Sequence, residues 1–146
     1  MRLALSLRLW LYASAVLLWA SGTAWLFAHY FQSARSYPAG LAAASMKIHG
    51  AAAMLLLVLA GVVVALHAPG AWRERKNRGS GLVMAAALIG LAVTGYLLYY
   101  AGGETARSLA SVGHWLPGLV LPVIGLWHGL AGRRSRRPSG AAGNWD

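Results

Sequence analysis

Residues 112–130 read VGHWLPGLVLPVIGLWHGL. These nineteen positions hold no charged residue, and a histidine stands near each end, His114 and His128. At about 1.5 Å per residue, a helix of this length covers the ~30 Å hydrocarbon core of a bilayer. An imidazole at membrane depth is costly unless something uses it. The combination occurs a second time: Ile48–Leu66 is another apolar run, with His49 and His67 at its ends.

Two further runs, Leu9–Phe27 and Leu82–Tyr100, have the same length and character. The chain has 146 residues, 58% of them hydrophobic and 11% charged, with a mean hydropathy of +0.55. The connections between the runs are short and leave no room for a soluble domain. The expected fold is all-α, a four-transmembrane-helix bundle over residues 1–132. A basic tail rich in Gly, Ser and Pro follows over 133–146 and is expected to be disordered. Pro69-Gly70 is expected to stop the second helix. Gln32–Ser45 and Gly102–Ser111 are expected to be outer loops. Gly125 and Gly129 form a small-xxx-small pair that lets helices approach or leaves room for a flat group.

The net charge is +10, but its placement argues against nucleic acid. Arg2 and Arg8 precede the first run. Arg73, Arg75, Lys76 and Arg78 separate the second from the third, and Arg133, Arg134, Arg136 and Arg137 follow the fourth. The other two connections hold Arg35, Lys47 and Arg107, with Glu104. Positive residues stay on the cytoplasmic side, so both termini are expected inside the cell. Contact with anionic lipid heads accompanies such a pattern. The start of the chain resembles a secretory signal only in part. Its apolar run continues through Trp25, Leu26 and Phe27, too long for a typical signal core, and an uncleaved helix is expected.

There is no cysteine, which removes disulfides, thiolate clusters and covalent haem attachment. Histidine nitrogen remains available as an iron ligand. The second and fourth helices both run from outside to inside. His49 and His114 then lie near the outer face, and His67 and His128 near the inner. At 100° per residue, the 18 residues between His49 and His67 make five whole turns. The 14 between His114 and His128 leave the rings about 40° apart. The corresponding rises, about 27 Å and about 21 Å, differ by some 6 Å. This pattern points to two b-type haems with bis-histidine ligation: His67 with His128 inside, and His49 with His114 outside, His29 being the alternative outer ligand. A single histidine at a helix end can instead simply face headgroups. A metal carrier would also use carboxylates, which the apolar runs lack; Glu74, Glu104 and Asp146 lie outside them.

From Lys47-Ile48-His49-Gly50 to His128-Gly129, the chain resembles the di-haem membrane cytochromes b. That group includes bacterial four-helix quinol-oxidising cytochromes b and the cytochrome b subunits of membrane formate dehydrogenases and hydrogenases. The most specific shared feature is His114-Trp115 through Trp127-His128, two histidines separated by thirteen residues on one helix. The resemblance implies haem-iron ligand roles for His114 and His128, with partners on another helix. Several relatives place a ligand near the start of the first helix. Here that helix carries only His29, at its far end, and the second helix carries two histidines instead.

Two stacked haems would conduct electrons across the bacterial inner membrane. With both axial positions filled they would leave no site for oxygen. Arg35, Lys47 and Arg107 are the candidate cations for haem propionates outside, and Arg73, Arg75, Arg133 and Arg134 inside. A membrane quinone or quinol is the expected small partner. The rim of Tyr96, Tyr99 and Tyr100 with Glu104 and His29 is its candidate site. So little soluble mass implies docking to a redox partner protein or a larger oxidoreductase complex. The chain is then a quinol oxidoreductase or the electron-transfer subunit of one. The competing class is a cofactor-free membrane interaction or assembly subunit.

Overall fold

The computed structural model describes residues 4–31, 39–75 and 77–135. They form four helices: α1 (Leu5–Phe31), α2 (Ala39–Arg73), α3 (Arg78–Tyr100) and α4 (Glu104–Arg134). No strand occurs among the described residues. All four helices are long and apolar enough to cross a membrane, so the all-α class with four membrane-length helices holds. By its internal contacts the chain divides into two compact units, Met1–Gly70 and Ala71–Asp146. The first contains α1 and most of α2; the second contains α3 and α4.

Several helix ends differ from expectation. Helix α2 begins at Ala39, inside the segment expected as a loop, and α4 begins at Glu104 rather than near Val112. Polar residues can continue a helix past the hydrocarbon boundary, and Glu104 in the first turn suits the positive end of the helix dipole. Pro69-Gly70 does not stop α2, which runs on to Arg73. Extending a helix already wound for many turns is far easier than starting one, so a single missing N–H donor does not end it. At the other end of the second unit, α4 includes Arg133 and Arg134 in its last turn, where cations meet the negative end of the dipole. The rest of the expected tail lies outside the described residues, as do Arg2, Arg35 and Lys76.

Pro117 and Pro122 lie inside α4. A proline ring in a helix crowds the carbonyl four residues earlier. Here those positions are Gly113 and Gly118. Glycine there keeps the crowded turn free of side chains, and the helix passes through both prolines.

Small residues make the helix seams. In the first unit, Ser14, Ser21 and Ala28 are buried at seven-residue steps along α1, and Ser45, Ala52 and Leu56 are buried on α2. With the half-buried His49, the α2 set steps by four, three and four residues, the spacing of a coiled-coil seam. Among the described residues of the second unit, Ser80 on α3 and Ala110 on α4 are buried. A methyl group on Gly125 would meet Met84 at 3.6 Å, and one on Gly118 would meet Leu91 at 3.7 Å. Each step along α3 is thus answered by an equal step back along α4. Without a hydrophobic drive between helices in lipid, such close approach of small residues supplies the packing. The larger apolar side chains, such as Val58, Val64, Ile89 and Val123, stand outward.

Candidate functional site

Three histidines share one arrangement, in which a hydroxyl and a glycine, adjacent on the preceding helix, hold the ring. In the first unit, His49 of α2 meets Ser21-Gly22 of α1. Its Nδ1 lies 3.0 Å from the Leu18 carbonyl oxygen and 3.4 Å from Ser21 Oγ. In the second unit, His114 Nδ1 lies 3.0 Å from Thr94 Oγ1, beside Gly95. His128 Nδ1 lies 3.0 Å from Ser80 Oγ, beside Gly81.

The hydroxyl hydrogens decide the tautomer. A serine or threonine hydroxyl has one hydrogen to donate. Thr94 gives its own to backbone, with Gly90 O at 2.7 Å and Leu91 O at 3.2 Å. Ser21 does the same to Leu17 O at 2.7 Å and Leu18 O at 3.1 Å. Ser80 points to Asn77 O at 3.4 Å. The oxygens of Thr94 and Ser21 therefore accept from the imidazoles, and Nδ1 of His114 and His49 carries the ring proton. For His49 the Leu18 carbonyl requires this independently, since a carbonyl can only accept. When such a ring is neutral, Nε2 holds the lone pair that a metal would use. A metal-bound histidine characteristically donates its other ring N–H to an oxygen in this way.

The glycines set the ring position. A methyl group on Gly22 would lie 2.8 Å from His49 Cε1 and 3.0 Å from Nδ1, but 3.8 Å from Nε2. The Nδ1–Cε1 edge of the ring thus rests on α1, and Nε2 is turned away from it. Gly95 stands in the same relation to His114, with Cε1 at 3.2 Å and Nδ1 at 3.6 Å; Gly81 is looser against His128, with Cε1 at 3.7 Å. Asn77 in the left-handed turn before α3 adds a further tie, its amide donating to His128 O at 3.2 Å.

His114 and His128 both face α3. The 40° offset expected from ideal helix geometry does not separate them, because a seam repeating every seven residues brings positions 14 apart onto one line. The dipeptides Ser80-Gly81 and Thr94-Gly95 are also 14 residues apart. The sequence contains this match, but it becomes visible only once α3 and α4 are set in register.

The other candidates sit differently. His67 is half-buried, off the seven-residue seam that passes through His49. It has no hydroxyl-glycine partner among the described contacts. His29 is exposed, stacks on Trp25 at 4.7 Å and meets Tyr30 edge-on at 5.0 Å, an aromatic cluster at the end of α1. In the second unit Tyr96 stacks on Tyr100 at 4.4 Å, and Tyr99, Tyr100 and Glu104 are exposed. Lys47, Arg73, Arg75, Arg107, Arg133 and Arg134 are exposed as well. Arg78 donates to Trp72 O and lies over the Trp72 ring at 4.8 Å. Trp115 differs from all of these: its indole Nε1 is buried and makes no hydrogen bond among the described residues. Sequence reasoning singled out the histidines but missed Ser21, Ser80, Thr94 and their neighbouring glycines.

Among the described residues no three His, Asp or Glu side chains gather into a metal-ion site. No family model, no curated protein and no solved structure matches this chain.

Proposed function

We propose that this chain transfers electrons across a bacterial inner membrane through two b-type haems with bis-histidine ligation, linking the quinone pool to a partner redox protein. The observation that carries the proposal is the common treatment of His49, His114 and His128. Each is tied through Nδ1 to an oxygen on the neighbouring helix, and in His49 and His114 this bond fixes the tautomer that ligates through Nε2. An interfacial histidine that only faced headgroups would gain nothing from such a clamp, least of all with a glycine beneath the ring. Haem b needs imidazole nitrogens and no thiolate, in keeping with a chain without cysteine. His67 is the fourth ligand in this proposal.

A site of this kind supplies single-electron transfer with no open iron position. The chain's own contribution is to orient the imidazoles, raise their basicity through the Nδ1 bonds and exclude water. The basic connections orient the helices with both termini cytoplasmic. By that topology Arg35, Lys47 and Arg107 are the proposed cations for haem propionates outside, and Arg73, Arg75, Arg133 and Arg134 those inside. Tyr99, Tyr100, Glu104 and His29 remain the proposed quinone contacts. The proposal is tested by a pyridine haemochrome assay on protein from haem-replete cells. It predicts close to two haems b per chain, with low-spin bands in the dithionite-reduced spectrum. A colourless, folded preparation favours a cofactor-free assembly subunit.

A further inference from the structure

Trp115 is an unusual place for an unsatisfied donor. It follows His114 directly and lies within a helix apolar enough to cross a membrane. Tryptophans of a membrane's aromatic belt keep the indole N–H wet, at the headgroups. Here the nitrogen is covered by protein atoms and makes no hydrogen bond among the described residues. A buried N–H without an acceptor is a net cost in apolar surroundings. Phenylalanine or leucine would fill the same space without that cost, so the indole nitrogen calls for an oxygen that the described residues do not supply.

The residues around it indicate which oxygen. Steps of four along a helix stay close to one side, drifting about 40° each. Arg107, Ser111 and Trp115 are such a series. They run from the exposed guanidinium near the start of α4, past the half-buried Ser111, to the covered indole. The stripe spans roughly 12 Å of helix, carries one full positive charge and donors throughout, and ends one residue from His114. Donors and a cation in that order match an anion that enters the apolar region from the polar end.

Building on the haem proposal, we propose that Trp115 donates its indole N–H to a propionate carboxylate of the porphyrin held at His114. Arg107 provides the cation toward which the propionates point. Trp115 and Arg107 would then hold the carboxylates toward the Glu104 end of α4. Trp115 is a binding residue in this scheme, distinct from the axial ligand.

The test uses the full chain in nanodiscs, haem-loaded and haem-depleted. Ultraviolet resonance Raman spectra of wild type minus Trp115→Phe isolate this indole from the other tryptophans. The N–H-sensitive band is expected at its hydrogen-bonded position when haem is present and at its unbonded position after haem removal. Trp115→Phe should weaken haem binding at one of the two sites about tenfold, the lower end of losses seen for groups that support metal ligands. Arg107→Gln, at an exposed position outside the packed seam, should weaken the same site if Trp115→Phe cannot be obtained folded. An unbonded band in both states, or wild-type haem affinity in both variants, overturns the assignment. So does a band that moves with added quinone analogue and not with haem. Wild-type haem content, measured first, separates the two proposals: a chain with two haems and an unchanged band rejects only this one, and a chain that never binds haem rejects both.

Discussion

The three glycines beneath the histidine rings differ in clearance, and that difference gives a graded test. A methyl group at Gly22 would sit 2.8 Å from His49 Cε1, at Gly95 3.2 Å from His114 Cε1, and at Gly81 3.7 Å from His128 Cε1. Carbon atoms in good contact lie about 3.5–4.0 Å apart. Gly22→Ala therefore drives the His49 ring back by about 1 Å, Gly95→Ala by about half that, and Gly81→Ala not at all. The Nδ1 bond to Leu18 O is 3.0 Å, and a retreat of that size takes it beyond hydrogen-bond range. Losing it costs about 1 kcal/mol. Replacing glycine by alanine in a helix returns about 0.8–1.0 kcal/mol, so the Gly22 variant should unfold at nearly the wild-type temperature. Ligand orientation has no such compensation, and haem affinity at that site should fall about 10- to 100-fold. The order of loss should be Gly22→Ala, then Gly95→Ala, with Gly81→Ala at wild-type affinity and slightly more stable. Haem titration of depleted protein, with thermal unfolding followed by circular dichroism, measures both quantities. Equal affinity in all three variants, or a loss confined to Gly81→Ala, would refute the clamp geometry.

Other consequences follow from the same contacts. Removing the acceptor oxygen by Ser80→Ala or Thr94→Val lowers imidazole basicity and favours ferrous iron, so one midpoint potential should rise. A differential of about 1 kcal/mol corresponds to roughly 40 mV for one electron; Thr94→Ser should stay at the wild-type value in a redox titration. Ser14 is buried in the α1 seam, and Ser14→Leu should overpack it and destabilise the first unit by about 1–3 kcal/mol, read as a lower unfolding temperature. His29→Ala should leave haem content unchanged, because its ring contacts are to Trp25 and Tyr30. If the proposed quinone contacts are correct, Glu104→Gln slows haem reduction by quinol severalfold in stopped-flow absorbance while leaving reduction by dithionite intact.

The helices were legible because bilayer thickness sets a length that apolar composition reveals directly. Their ends were not, since nothing in the hydrocarbon requirement says where a helix stops once it reaches polar surroundings. That error carried over to the site. With α4 taken to start near Val112 rather than at Glu104, the register of α3 against α4 is shifted, and the residues opposite His114 and His128 cannot be named. The histidines themselves stood out because an imidazole in an apolar run is costly. Ser21, Ser80 and Thr94 did not, because a lone hydroxyl in a membrane helix can satisfy itself on the carbonyl one turn back. All three do so, and their second role depends on a partner many residues away in sequence. His67 stands apart: its whole-turn spacing from His49 is legible in the sequence, but it lies off the seven-residue seam that passes through His49, so the hydroxyl-glycine clamp does not extend to it.

The most direct measurement is haem stoichiometry by pyridine haemochrome in wild type and in single alanine variants of His49, His67, His114, His128 and His29. The account predicts about two haems in wild type, the loss of one in each of the first four variants, and none lost in His29→Ala. A wild-type chain without haem, or full haem retention after replacing His49, His114 and His128 singly, would contradict it.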